Sequence, residues 1–147
     1  MSSTVRSLIE RQAAERPDAV YALGTEGGEP ISYRRLAADS AAIAAWLAAN
    51  GSAPGDVVSV VMPNGLMTLR LLLGAMAGGW CVNPVNLLSQ PEQMRYVLEH
   101  SDCRLVFVNA EREAMVRELV GSLDRSVGVV VIGADAAERN IPVARIH

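Results

Sequence analysis

The sequence predicts an α/β fold, a mainly parallel βαβ sheet with helices on both faces, and three observations carry that expectation. Apolar strand-like runs at Val57–Val61, Trp80–Val85, Arg104–Val108 and Val127–Ile132 alternate with helical stretches of about ten to fifteen residues, the rhythm of successive βαβ units. Val57–Val61 is β-branched with Ser59 as its one polar residue, which suits a strand covered on both faces. Glycines stand where helices must stop, at Gly51, Gly78-Gly79 and Gly121.

Taken in order, Thr4 to Arg16 reads as an opening helix with Val5, Leu8, Ile9 and Ala13 on one side. Pro17 disfavours helix at Arg16 and ends it. Ala19–Leu23 and Pro30–Ser32 flank Glu26-Gly27-Gly28 as a small hairpin. Ser32 caps the next helix, Tyr33 to Asn50, whose Leu36, Ile43, Trp46 and Leu47 share a face. Pro54-Gly55-Asp56 is a turn. Asn64 is expected to cap the helix from Gly65 to Ala77, and Trp80–Val85 follows as a strand. Ser89-Gln90-Pro91-Glu92 has capping-box spacing, with Ser89 as cap, for a helix to His100 that turns Met94, Val97 and Leu98 inward. Asn109 is expected to cap a helix to Glu118 or Leu119. Val143–Ile146 is faintly strand-like. The organisation expected is a leading helix, hairpin and helix over residues 1–53, a βαβαβαβ core over 54–133 and a weakly structured end over 134–147.

Composition excludes several functions. All 13 basic residues are arginine, and the net charge is −3, with the arginines scattered among acids. Nucleic acid is gripped by clustered Lys and Arg, so it is not expected as a partner. The single adjacent pair, Arg34-Arg35, reads as a solvated helix face. Cys81 and Cys103 lack metal-ligand spacing and read as buried, reduced thiols of a cytoplasmic protein. No secretory signal pattern follows Met1, and the Leu66–Val82 run is broken by Arg70 and Gly78-Gly79, so an integral membrane protein is not expected. Half of the residues are hydrophobic and mean hydropathy is +0.21, carried by alanine and aliphatic side chains. That load fits either a tightly packed domain or a piece whose apolar faces expect a partner.

Chemistry-bearing motifs are scarce. A Walker phosphate loop requires a lysine and cannot occur. Gly74, Gly78 and Gly79 lie at a helix end, where a dinucleotide fingerprint would need a strand-to-helix turn. Gly24, Gly27 and Gly28 belong to the hairpin. His100 and His147 have no partner at metal spacing, and no G-x-S-x-G elbow is present. Glu10, Glu15, Glu111 and Glu113 read as helix-surface charges. Asn83 and Asn86 flank Pro84 at a strand's carboxyl end, where α/β sheets bind ligands, and a loop-stabilising role is favoured for both. The residues themselves assign no catalytic, cofactor-binding or metal site.

The motif order nonetheless resembles a family. Pro30-Ile-Ser-Tyr-Arg-Arg-Leu36 is similar to the opening motif of adenylate-forming enzymes, the group of AMP-forming acyl-CoA synthetases, luciferases and nonribosomal-peptide adenylation domains. Gly55-Asp56-Val57-Val58, Met62-Pro63-Asn64, and Leu73 to Gly79 continuing to Asn83-Pro84-Val85-Asn86 resemble the segments that follow. Pro91-Glu92, Tyr96-Val97-Leu98 and Ser101-Asp102 resemble the next helix. The resemblance spans nearly the whole chain. It departs at Arg35, where the family usually has Glu, at Leu66-Met67, where a Pro-Glu pair is common, and at Leu88, where relatives often carry an arginine able to contact CoA.

The resemblance implies the front of the family's large N-terminal domain, with the phosphate loop and its lysine lying beyond the residues present. Intact relatives convert a carboxylic acid and ATP to an acyl-adenylate and pyrophosphate, and CoA then displaces AMP; a lysine with Mg²⁺ offsets the developing phosphate charge. It therefore implies ATP, Mg²⁺ and CoA as cofactors of the intact enzyme, none held tightly by these residues. The implied partners are the rest of the same polypeptide, a carboxylic acid substrate and, as a further option, a second copy in a homodimer. A stand-alone, non-catalytic interaction domain of the same fold is the alternative. A nucleotide-binding Rossmann domain ranks third, because its glycine loop is missing.

Overall fold

The computed structural model describes residues 3–25, 28–135 and 145–146. Helix α1 (Val5–Glu15) is opened by Thr4, whose hydroxyl accepts from the Ser7 N–H at 3.0 Å while the Ser7 hydroxyl accepts from the Thr4 N–H at 2.9 Å. Strands β1 (Val20–Ala22) and β2 (Ile31–Ser32) pair antiparallel, as the hairpin expectation required, although Glu26 and Gly27 of its tip lie outside the described residues. Ser32 caps α2 (Tyr33–Ala49) by accepting from the Arg35 N–H at 3.2 Å, and Gly51 beyond the helix takes φ +82°.

The core alternates β3 (Val57–Val61), α3 (Leu66–Ala77), β4 (Cys81–Pro84), α4 (Pro91–His100), β5 (Leu105–Val108), α5 (Glu113–Gly121) and β6 (Gly128–Val131). The sheet order is β4-β3-β5-β6-β7, where β7 (Arg145–Ile146) pairs antiparallel with β6 and the other pairs are parallel. β7 lies within the region 134–147; residues 136–144 and 147, including Val143 and Ala144 of the faintly strand-like stretch, lie outside the described residues. Moving from β3 to β4 and then across to β5 reverses the direction of travel, which places the topological switch between β3 and β5.

Strand alternation divides the interior. Val58, Val60, Leu105, Phe107 and Val130 face α2 and α3, packing with Ile43, Leu47, Met67, Leu71 and Trp80. Val61, Val106, Val108 and Val129 face α4 and α5, packing with Met94, Leu98, Val116 and Val120. Each strand therefore feeds two apolar layers, which is why Val57–Val61 carries almost no polar residue. The expected face of α2 is confirmed, with Leu36, Ile43 and Leu47 buried and Trp46 against the Phe107 ring at 5.7 Å between centroids.

The free side of β4 is blunted. Cys81 and Val85 donate their N–H groups to Asp56 and Val60 at 3.0 Å each, so Val82 and Pro84 turn their backbone outward. Proline has no N–H, which leaves a poor template for an added strand.

A buried polar contact ties the residue just before β4 to the α2–β3 loop. The Trp80 indole N–H donates to the Ser52 hydroxyl at 2.7 Å, and Asp56 accepts from the Ala53 N–H at 2.9 Å. Ser52→Ala leaves the indole donor without that acceptor and is expected to cost about 1–3 kcal/mol, read as a lowered urea midpoint with an unchanged slope.

Candidate functional site

The candidate site is the carboxyl edge of the parallel strands around the switch between β3 and β5. Three loops meet the requirements of position there. Met62-Pro63-Asn64-Gly65 follows β3, Asn109 follows β5, and Val85-Asn86 follows β4.

Asn64 does not cap α3. The N-cap is Gly65, in extended backbone, and no side chain of its own loop caps the helix. The first-turn amides are met instead by Ala134 and Asp135 from beyond β6. A partner so distant along the chain cannot be read from local spacing. Thr68 secures the loop by donating its hydroxyl to the Pro63 carbonyl at 2.7 Å.

Asn109 departs from expectation in the same way. It precedes a 3-10 turn (Ala110–Arg112), its side chain makes no cap bond, and its backbone carbonyl accepts from Arg112 N–H at 3.1 Å before α5 begins at Glu113. The side chain is buried, and its carbonyl oxygen has no hydrogen-bond partner among the described residues. Such an acceptor at a switch point marks the residue as a polar feature that the sequence pattern missed.

Asn83 donates to the Ser59 hydroxyl at 3.0 Å, and Asn86 accepts from the Leu88 N–H at 3.0 Å. Asn86 thus ties down its own turn, as expected, whereas Asn83 bonds across the sheet to β3 and does not secure its loop. Leu88, held at the tip of that turn, is 90% exposed. The box at α4 shifts by one residue: Gln90 is the N-cap and Gln93 accepts its N–H at 3.0 Å, while Ser89 stands outside. Pro91 at the first helical position sets that frame, since its fixed φ is already helical.

Two expectations about charge and thiols are corrected. Arg35 is not part of a solvated face: its side chain is 16% exposed and lies 3.4 Å from Asp39, which also meets Arg70 at 2.7 Å. Arg34 alone is solvated, against Asp18. Cys81 is exposed at the start of the edge strand, and Cys103 is buried; both are free. Glu10 and Glu113 do lie on helix surfaces, paired with Arg6 and Arg117 four residues away.

Arg125 also has a structural role. It donates to the carbonyls of Leu98, Glu99 and Cys103 and so closes the carboxyl end of α4, where a cation is favoured.

A cavity of about 330 Å³ opens beside the start of α3, walled by Leu23, Thr25, Asn64, Leu69, Leu72 and Asp135. Its walls are mainly apolar, and its one carboxylate is engaged by the Leu66 N–H at 3.2 Å. Among the described residues no three His, Cys, Asp or Glu side chains are grouped to hold a metal ion, and the sequence contributes no lysine. The polar groups described at this edge are side-chain amides, hydroxyls, backbone carbonyls and the Asp135 carboxylate, a set without the cation that phosphate charge requires. Among the described residues no helix is long and apolar enough to cross a membrane.

The profile of the AMP-binding enzyme family matches residues 9–145, nearly the whole chain. The chain belongs to the AMP-binding enzyme family. It is 45% identical over 133 residues to the sulfoacetate–CoA ligase of Cupriavidus necator, covering 90% of this chain and 26% of that protein. It is 33% identical over 108 residues to the 3-hydroxybenzoate–CoA ligase of Aromatoleum sp., covering 74% of this chain and 21% of that protein. Among solved structures, the benzoate CoA ligase from Burkholderia xenovorans superposes with a TM-score of 0.80 at 20% identity, over 90% of this chain and 26% of that one. The last likeness establishes the fold: the parallel sheet with helices on both faces is that of the N-terminal domains of adenylate-forming enzymes. The chain spans about a quarter of the length of these relatives. An AMP-binding enzyme fold explains why βαβ units are present without a Walker or Rossmann loop.

Proposed function

We propose that this chain is the leading part of an AMP-forming carboxylic acid–CoA ligase, which converts an acid and ATP to acyl-AMP and pyrophosphate and then, with CoA, to acyl-CoA and AMP. The observation that carries this reading is the 45% identity to a sulfoacetate–CoA ligase over 90% of the chain. In this role the 147 residues supply a sheet and one wall of the cleft, and the rest of the same polypeptide supplies the phosphate chemistry. The lysine-free sequence, together with the lack of a metal-holding cluster among the described residues, supports a scaffold without turnover of its own. ATP, Mg²⁺ and CoA are then bound by the longer protein, in the cytoplasm, together with a carboxylic acid.

Pyrophosphate release tests this directly. The polypeptide encoded by the whole reading frame is expected to release pyrophosphate in response to an acid from a panel containing sulfoacetate and hydroxybenzoates. The 147-residue chain is expected to release none. A silent panel combined with absent ATP binding by the longer protein defeats the ligase reading; turnover by the short chain defeats the scaffold reading.

The blunted β4 edge and the two closed apolar layers favour one other reading, a self-contained interaction module of the same fold. Light scattering separates them: the scaffold reading expects aggregation or dependence on the missing portion, and the module reading a clean folded monomer.

A further inference from the structure

Helix α3 takes its cap from a remote part of the chain. The Ala134 carbonyl accepts from the Met67 N–H at 2.7 Å and from the Thr68 N–H at 3.3 Å, and an Asp135 carboxylate oxygen accepts from the Leu66 N–H at 3.2 Å. By contrast, α2 is capped by Ser32, three residues before the amide it serves. The approach at α3 is close. A Cβ placed on Gly65 would lie 2.3 Å from the Ala134 oxygen and 2.8 Å from the Asp135 carboxylate, so glycine is what admits the contact.

The location gives the contact its meaning. This N-terminus follows β3 on the carboxyl edge of the sheet, beside the switch between β3 and β5. Open α/β sheets hold ligands there, and the free amides and dipole of a helix start attract phosphate. Here the amides of three successive residues are already bonded, and the negative charge beside them belongs to the protein.

We propose that the Ala134–Asp135 turn is a built-in plug that fills the α3 N-terminus with the chain's own carbonyl and carboxylate and keeps phosphate groups out of it. An incoming phosphate finds the amides occupied and meets a like charge at short range, so it is both unsupported and repelled. The plug belongs to this chain whatever the longer polypeptide catalyses.

Amide NMR of the polypeptide encoded by the whole reading frame, selectively labelled at leucine, methionine and threonine and titrated with inorganic pyrophosphate, tests the plug at the residues concerned. In the wild type, the Leu66, Met67 and Thr68 resonances are expected to stay still up to millimolar pyrophosphate. In Asp135→Ala the Leu66 amide is expected to move with added pyrophosphate, with apparent affinity about tenfold above any wild-type response. Asp135→Asn, which keeps the acceptor and loses the charge, is expected to fall between them and serves if the alanine variant does not fold. Wild-type shifts at Leu66 to Thr68 equal to those of the variants overturn the proposal. So does a folded Asp135→Ala or Asp135→Asn protein whose Leu66 amide ignores pyrophosphate.

Discussion

Asp39→Ala is expected to lower the unfolding free energy by about 3–5 kcal/mol. The carboxylate is 9% exposed and lies between Arg35 of its own helix, at 3.4 Å, and Arg70 of α3, at 2.7 Å. Arg70 is 4% exposed and has a further interaction besides Asp39, so Asp39 supplies part of the balance for a charge removed from water. Arg35 retains Glu29 at 3.3 Å, but that carboxylate is 80% exposed and screened. The asymmetry of buried pairs sharpens the expectation. Removing one partner leaves a charge in a poor solvent, whereas replacing the pair by apolar groups of similar volume removes the cost as well as the gain. The double variant Asp39→Leu with Arg70→Met is therefore expected to recover much of the loss. Urea unfolding of the three proteins measures this, and a double variant no more stable than Asp39→Ala counts against a balanced buried charge as the cause.

Phe107→Ala is expected to cost a similar amount, about 3–5 kcal/mol, through a different mechanism. Phe107 is 1% exposed on β5, between β3 and β6, and it anchors the layer beneath α2 and α3. Its ring meets Trp46 at 5.7 Å, and Leu47, Leu71 and Met67 fill the same layer. A central strand flanked on both sides cannot slide to close the space, so the lost contacts remain lost. Phe107→Leu keeps most of the volume and is expected to cost less than about 1.5 kcal/mol. A thermal melt reads both: the alanine variant is expected to fall by about 10 °C or more and the leucine variant by much less. Equal shifts would place the effect outside the packing of this layer.

These residues also show where local reasoning succeeded. Ser32 caps α2 through an amide three residues away, so the spacing contains the whole interaction. The α2 face was legible because helical periodicity brings Leu36, Ile43 and Leu47 together before any tertiary contact forms. Asn64 and Asn109 have the right identity and spacing to cap, and neither does. In each case a competing partner took over: Asp135 and Ala134 at α3, and a tight 3-10 turn after β5. Arg35 looked like surface because its neighbour Arg34 is surface. Its i,i+4 partner Asp39 was present in the sequence, but the burial of that pair depends on Arg70 arriving from α3.

The candidate site divides along the same line. Asn83-Pro84-Val85-Asn86 was recognisable as a strand-end segment from its residues, and Asn86 does secure its own turn, while Asn83 reaches Ser59 on the neighbouring strand. The buried acceptor of Asn109 was not, because burial of a polar atom is decided by what packs over it.

By itself the sequence determined the alternation of strands and helices, the inward faces of α2 and α4, the family, and the lack of any lysine for phosphate chemistry. Those properties live in periodicity, composition and short-range spacing, which need no folded neighbour to be expressed. The tertiary structure decided the strand order and the switch between β3 and β5, the buried Arg35–Asp39–Arg70 cluster, and the occupation of the α3 N-terminus by Asp135. Each of these joins groups far apart along the chain. Their energies come from burial and close approach that exist only once the sheet and its two helical layers have assembled.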